Sequence, residues 1–379
     1  MKVTLFKADL DKAILILSRI STKEKELLTS CICFQKSGED KIKVSSSNSR
    51  IFVQFEIPAI FEDAYEEDSS NGFTIEMKRF VKWFENIHSR DFSFILDKEK
   101  LSVKAKSSKG SLSFSSFSPD QFFDWDRYLE GLKDSATINT TKLRSVLTLL
   151  NKFSKENSKD PKFSLLESKS GVMYSTNTVL VSRCYVQELK NSKFKVHTKE
   201  VGNICTYLSI FEDKECNIQE SDNTFGIFCE NSTLVFSSVL HNFPDFPDKS
   251  TKEDDFFFVA PKVDILGAIN YLESAASEDD VIKFTFLPSE DVEKHNVVKI
   301  GIPSYTGEDI FQEVPVVDNS EGKFDFANTY SKDNFLAVVA LSHSNLRVGF
   351  NKIGASMSYL KYTFKSNSLD FTIYQQSKS

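Results

Sequence analysis

The feature that most constrains this chain is a recurrence. Stretches with helical spacing of apolar residues return at near-fixed intervals, and much of the chain between them alternates with period two. Apolar residues at i, i+3, i+4 and i+7 make one face of a helix. Such stripes occupy 7–20 (Leu10, Ala13, Ile14, Leu17), 77–90 (Phe80, Trp83, Phe84, Ile87) and 140–155 (Leu143, Val146, Leu147, Leu150). They return at 198–212 (Val201, Ile204, Cys205, Leu208), 261–274 (Ile265, Ala268, Ile269, Leu272) and, shorter, 331–347 (Phe335, Val338, Val339). Runs such as Leu101-Ser102-Val103-Lys104 and Leu369-Asp370-Phe371-Thr372-Ile373 read as strands. The odd stripes align at Leu10, Leu143 and Val263, 133 and 120 residues apart, and the even ones at Lys78, Lys199 and Lys332, 121 and 133 apart. A closing strand recurs after 122 residues, as Leu112-Ser113-Phe114-Ser115-Ser116 and Leu234-Val235-Phe236-Ser237-Ser238. The spacing predicts an α+β chain of three repeated domains, 1–131, 132–254 and 255–379, each running helix–strands–helix–strands.

A length of 379 residues agrees, since a domain takes ~100–200. With 40% hydrophobic and 27% charged residues the chain has ample core material, and 35 phenylalanines supply much of it. Only 13 glycines and 9 prolines argue against collagen-like or long disordered architecture. No apolar run approaches the ~18–20 residues of a membrane helix, and Met1-Lys2-Val3-Thr4-Leu5-Phe6 leads straight into a folded pattern. A soluble intracellular protein with no membrane partner is expected. Cys31, Cys33, Cys184, Cys205, Cys216 and Cys229 show no paired spacing and read as small buried hydrophobes.

Local marks of catalysis are missing. No phosphate loop, dinucleotide fingerprint or nucleophile elbow occurs, and the five histidines form neither HExxH nor a zinc spacing. Adjacent carboxylates such as Glu66-Glu67, Asp254-Asp255 and Asp279-Asp280 sit in polar stretches, where solvated loops are expected before an acid–base dyad. No catalytic residue, metal or cofactor is expected.

Charge is distributed unevenly. The chain carries −7 overall, but the helical windows carry +1, +3, +4, −1, −1 and +1 in order, leaving −14 for the rest. At 100° per residue Lys12 and Arg19 fall opposite the first stripe, Lys78 and Lys82 off the second, and Lys152 off the third. Solvated helix faces are commonly charged; the sign bias adds the expectation of a surface that meets a polyanion through salt-dependent, sequence-blind contacts.

Short matches then give the pattern a family. Thr74-Ile75-Glu76-Met77-Lys78-Arg79-Phe80 resembles the entry to the second helix of the bacterial sliding clamps, the β subunits of DNA polymerase III. Ser113-Phe114-Ser115-Ser116-Phe117-Ser118-Pro119-Asp120-Gln121-Phe122, followed by Asp124-Trp125, resembles the end of their first domain. Phe236-Ser237-Ser238-Val239-Leu240 and Asn242-Phe243-Pro244-Asp245-Phe246 resemble a family strand and its phenylalanine–proline–aspartate–tyrosine turn. The chain looks like a divergent member, in keeping with a viral source.

The resemblance implies a head-to-tail homodimeric ring that encircles duplex DNA without sequence preference, tethers a DNA polymerase and is placed by a clamp loader. It would act in the cytoplasm at the nucleoid, or in host cytoplasm. DNA-facing cations would be Lys12, Arg19, Lys78, Lys82, Arg144, Lys152, Lys199 and Lys332, with Lys23 and Lys25 on the loop after the first helix. A pocket for partner peptides would be walled by Thr176, Val179, Leu180, Val181, Pro244, Ile373 and Tyr374. Here Thr176-Asn177-Thr178-Val179-Leu180-Val181 replaces the family's threonine–aspartate–glycine–histidine–arginine–leucine segment, making the wall more apolar. Ring closure would use Leu112 and Phe114 against Tyr271 and Leu272. The rival expectations are an open or monomeric processivity factor held on DNA by charge, a β-rich virion protein, and, last, an enzyme.

Overall fold

A computed structural model describes residues 2–21, 29–48, 50–62, 72–97, 101–119, 122, 129–154, 160–177, 179–238, 253–275, 281–287, 296–302, 310–321, 324–325, 328–353, 357–366 and 369–377. Among them one local order recurs six times: a short strand, a helix, then three antiparallel strands. The first module runs Lys2–Phe6, helix α1 (Lys7–Ile20), Cys31–Lys36, Lys41–Ser47 and Ile51–Pro58. The second runs Gly72–Glu76, α2 (Met77–Glu85), Asp91–Asp97, Ser102–Ser107 and Gly110–Ser115. The third has Lys133–Asn139, α3 (Thr140–Asn151), Leu165–Lys169, Val172–Thr176 and Leu180–Tyr185. The fourth has Lys195–His197, α4 (Thr198–Ile210), Glu215–Glu220, Thr224–Cys229 and Ser232–Ser237. The fifth is Phe256–Pro261, α5 (Lys262–Ala275), Val281–Leu287, Val297–Ile302 and Ile310–Pro315; the sixth is Tyr330–Ser331, α6 (Lys332–Leu341), Asn345–Ile353, Met357–Ser366 and Leu369–Gln376.

Helix starts refine the internal alignment. Lys7, Thr140 and Lys262 open the odd helices, and Met77, Thr198 and Lys332 the even ones. The equivalent of Leu10 and Leu143 is therefore Ile265, fully buried, and not Val263, which is 72% exposed. Lys78 and Lys199 are second residues of their helices where Lys332 is the first. Four helices are also shorter than their stripes, α2 and α6 by the most. At the end of α2, Asn86 leaves helical geometry (φ −89, ψ 0) and its amide caps the Lys82 carbonyl at 2.7 Å. After α6, Arg347 lies in a strand.

The odd helices begin with residues that serve their neighbours' ends. Lys7 Nζ donates to the Ile87 carbonyl (2.8 Å), and Lys262 Nζ to those of Ala340 (2.7 Å) and Ser342 (2.8 Å). Thr140 Oγ1 donates to the Phe211 carbonyl at 2.5 Å. Carbonyls left over at a helix end need such donors, and a cation there also meets the negative end of the dipole.

Contacts divide the chain into two compact units, 1–148 with 188–240, and 149–187 with 241–379. Within the first unit, modules exchange their leading strands. Lys2–Phe6 pairs with Asp91–Asp97, and Gly72–Glu76 with Cys31–Lys36. Ile51–Pro58 then pairs with Ser232–Ser237, which joins two meanders into one eight-stranded sheet. A five-stranded sheet beside it ends at Gly110–Ser115. Phe34, Phe73, Phe80 and Phe94 form the aromatic centre, with Phe34 ring centroids 5.0, 5.7 and 4.9 Å from the other three. In the second unit, Phe256–Pro261 pairs with Asn345–Ile353 and Tyr330–Ser331 with Val281–Leu287, the same exchange. Leu180–Tyr185 pairs with Leu369–Gln376, and Ile310–Pro315 ends the smaller sheet.

All six cysteines are free thiols, and five of them are buried. Among the described residues no helix is long and apolar enough to cross a membrane, and no group of His, Cys, Asp or Glu is placed to hold a metal.

One carboxylate links stability to pH. Ser37 Oγ donates to Glu56 at 2.6 Å and Lys41 Nζ at 3.3 Å, and these partners outweigh burial and hold the Glu56 carboxyl below its ordinary range. A depressed folded-state value means stabilisation that is present above the unfolded value and lost as pH falls through the folded one. Glu56→Gln is therefore expected to flatten the acid limb of an unfolding-midpoint-versus-pH curve. An unchanged limb would show that the pair contributes nothing.

Candidate functional site

The first unit presents four helices side by side. α1 packs against both α2 and α4. α4 reaches α3 through Cys205, whose Sγ lies 3.5 Å from Thr148 Oγ1 and donates to the Arg144 carbonyl at 3.9 Å. Arg19 Nε donates to Asn203 Oδ1 at 3.0 Å, and Gly202 permits that approach, since a Cβ there would sit 3.1 Å from Arg19 Nη2. Most of the expected cations stand on this row. Lys12, Arg19, Lys78, Lys82 and Lys199 are exposed there, and Lys152, which falls in the second unit, is exposed as well. Lys152 follows the last residue of α3 instead of lying on it. Arg144 is half-buried and within 3.7 Å of Glu212. Lys332, in the second unit, has a side chain only 17% exposed and an ammonium 3.3 Å from Glu273, a geometry suited to holding α6 beside α5. Lys23 and Lys25 lie outside the described residues.

Observed helix bounds trim the charge bias without reversing it. α1, α2 and α3 carry +1, +2 and +2, while α4, α5 and α6 carry 0, −1 and 0. The cationic surface thus belongs to the first unit.

Each unit also ends in an open sheet edge. Four of the six modules pair their last strand with another module's last strand; Gly110–Ser115 and Ile310–Pro315 are the two left over among the described residues. An unpaired edge exposes backbone donors and acceptors that another chain can satisfy. Beside the first edge Leu112 is half-buried, and Phe114 is 2% exposed beneath the Arg79 guanidinium, 5.7 Å from its ring centroid. In the second unit Tyr271 is 56% exposed, whereas Leu272 is fully buried and belongs to the core. Helical spacing puts Leu272 on the apolar stripe and leaves Tyr271 off it, because one helical step of 100° moves a side chain from core to solvent; what the structure divides is their joint assignment to ring closure.

The expected peptide wall splits in the same way. Asn177 Oδ1 accepts from the backbone N–H groups of Val179 (3.2 Å) and Leu180 (2.8 Å), and Thr176 Oγ1 donates to the Leu180 carbonyl, fixing a tight turn. Beyond it Thr176, Val181, Tyr374, Lys361 and Gly349 oppose one another in a single row across the sheet. Directly opposed residues share a face, so Val181 and Tyr374 come together. Leu180 and Ile373 point to the other face and are core, 1% and 0% exposed. Val179 stays at the turn, 37% exposed, and Pro244 lies outside the described residues. Sequence reasoning had missed Arg183, whose guanidinium lies 5.5 Å from the Tyr374 ring centroid, and Tyr359, 5.7 Å from Tyr374. Burial, with Tyr374 and the nearby Asp254 and Asp255, pushes the Tyr359 phenol up to about 12.

Exchanged strands, paired helices and two open edges define the DNA sliding-clamp fold, an α+β architecture. More narrowly it is the fold of the β subunits of bacterial DNA polymerase III. The chain is similar to the clamp of Caulobacter crescentus at 11% identity and TM-score 0.79, with both chains covered in full. It is similar to the β subunit of Streptococcus pyogenes DNA polymerase at 12% and 0.78, again over both whole chains. For the DNA polymerase III subunit β of Pseudomonas aeruginosa the values are 14% and 0.77, with the same coverage. No protein-family model and no curated protein matches the chain.

Proposed function

We propose that this protein is a DNA sliding clamp: two copies close head to tail into a ring that encircles duplex DNA and tethers a polymerase. The observation that carries this reading is the pair of unmatched edges, Gly110–Ser115 in one unit and Ile310–Pro315 in the other. Different surfaces that complement each other make a heterologous contact, which generates either an open filament or a closed ring. Two copies, each offering both strands, would give each of these unmatched strands a partner when the ring closes. The three repeats, 1–131, 132–254 and 255–379, would then contribute two modules each.

Function in such a ring is topological. It needs no catalytic group, and holding DNA by enclosure requires only weak phosphate contacts that allow sliding. The exposed cations of the α1–α4 row suit that task, and the net charges of −1 on α5 and 0 on α6 support a contact made by the first unit. The surface around Val181, Tyr374 and Arg183 is the proposed seat for peptides of a polymerase and a clamp loader, in the cytoplasm where the DNA lies.

Two measurements test this. Single-particle imaging of the purified protein should show a closed ring of twice the chain mass; separate elongated particles at every concentration would refute self-closure. Lys12→Glu, Lys152→Glu and Lys199→Glu together should shorten the residence of the ring on circular DNA by about tenfold while leaving the oligomer intact. Unchanged residence would remove the helix row from the DNA-contacting role.

A further inference from the structure

The five-stranded sheet of the first unit has two unlike faces. On one, Phe92, Phe94, Val103 and Phe114 are at most 2% exposed. α2 packs on that side through Phe80 and Phe84, whose ring centroids lie 5.9 Å from Phe94 and 5.7 Å from Phe92. Successive strand residues point to opposite sides, so their neighbours look away from α2. There Phe6, Ile60 and Ile95 are 41%, 51% and 37% exposed. Register sets the order: Ile60, Thr4, Ser93, Lys106 and Ser111 form one row across the sheet, and Glu62, Lys2, Ile95, Lys104 and Ser113 the next. One half of this face is therefore apolar, around Thr4, and the other half is cationic.

Lys104 and Lys106 stand about 7 Å apart along Ser102–Ser107, and Lys109 follows, exposed, in the next turn. Lys2 is neutralised by Glu62. Among the described residues, Lys104, Lys106 and Lys109 have no carboxylate or carbonyl partner. The residues directly opposite the two strand lysines are uncharged, while Asp91 and Asp97 stand at the ends of the adjoining strand. Unpaired like charges in a line repel one another, and on a chain of net charge −7 they favour an external polyanion.

We infer that this outer face holds a single strand of nucleic acid, with phosphates along Lys104, Lys106 and Lys109 and bases against Ile95, Phe6 and Ile60. Lysine and serine are regular donors to phosphate oxygens, and Ser113 and Ser111 flank the two strand lysines on the open side. The apolar half decides between polyanions. A duplex stacks its base faces away and would leave that half uncovered. A single strand carries its charge and its free base faces side by side, as this face does, and such bases settle on apolar and aromatic side chains. An acidic peptide matches the lysines but does not offer two parallel bands of that kind. The site goes beyond the ring reading and does not depend on it: it lies on the side of the sheet opposite α2, apart from the cations of the helix row.

Fluorescence anisotropy of a labelled oligothymidylate of about 16 nucleotides, titrated with the full chain, tests this. Lys104→Glu, Lys106→Glu and Lys109→Glu together are compared with Lys133→Glu, Lys190→Glu and Lys193→Glu, an equal charge change at exposed lysines elsewhere on the first unit. Circular dichroism confirms that both variants fold. The parent should bind with a log-affinity against log-salt slope of about −2, three phosphates at ~0.7 each. The first variant should lose at least about tenfold in affinity and most of that slope, and the second should bind as the parent does. Ile95→Ser should weaken binding severalfold and leave the slope unchanged. Equal binding by the first variant and the parent, or no binding by the parent at low salt, would overturn the site. Equal competition by a duplex or by poly-glutamate of matched length would overturn the single strand as its occupant. None of these results bears on ring closure, which particle imaging judges separately.

Discussion

Replacing Phe94 with alanine is expected to destabilise the first unit by about 4 kcal/mol. Phe94 is fully buried, with ring centroids 4.9 Å from Phe34, 5.0 Å from Phe73, 5.4 Å from Phe92 and 5.9 Å from Phe80. Its strand neighbour Lys2–Phe6 comes from the other module, so the ring sits where two exchanged strands and α2 converge. Removing it loses transfer energy and leaves a void that four rings on different elements cannot collapse together to fill. Trp83, at 5.7 Å from Phe92 and 6.2 Å from Phe80, reports on this core. Urea unfolding followed by its fluorescence, in a Trp125→Phe background, measures the loss. Phe94→Leu should cost well under half as much. A loss below about 1 kcal/mol for the alanine variant would show that the cluster does not hold the unit together.

The second unit depends on a buried charge cluster. The Asp254 side chain is 1% exposed and accepts from Arg347 Nη1, from Lys361 Nζ (3.4 Å) and from Asn351 Nδ2 (3.1 Å). Arg347 also lies 4.0 Å from the Phe257 ring centroid, which fixes its fork. Such a cluster adds little over an apolar replacement, but breaking it is costly, because two partly desolvated cations lose their counter-ion. Asp254→Ala is expected to cost about 3 kcal/mol. Hydrogen exchange of the Asn345–Ile353 strand measures it, with protection falling by about a hundredfold. Gly349 gives an independent route to the same site, since a Cβ there would lie 2.4 Å from Asp254 Cγ. Gly349→Ala should therefore displace the carboxylate and reproduce much of the loss. Full protection in both variants would mean that the cluster is dispensable.

Element identity was legible in the sequence because local periodicity sets it. All six helices start within one residue of their apolar stripes, since the stripe records the face each must bury. The recurrence near 120–130 residues was legible for the same reason. Helix ends were less so: α2 stops at Asn86 through a side-chain cap that no periodicity encodes. The six-module order with exchanged leading strands was not legible at all, because strand partners such as Lys2–Phe6 and Asp91–Asp97 lie about 90 residues apart. For the candidate site, residue types were visible but facing was not. Tyr271 and Leu272 were assigned together to ring closure, and Leu180 and Val181 together to the peptide wall, yet each pair divides between surface and core.

By itself, then, the sequence determined the six amphipathic helices, the alternating strands, the repeat, and a positive bias on the first three helices. Those properties follow from spacing along one chain. Only the tertiary structure decided which strands pair, which two modules leave their last strand unmatched among the described residues, and that Lys78, Arg79 and Lys82 gather over Phe114 around one cleft. Pairing and clustering join residues far apart in the chain, and their energies depend on burial and distance that exist only once the modules have packed.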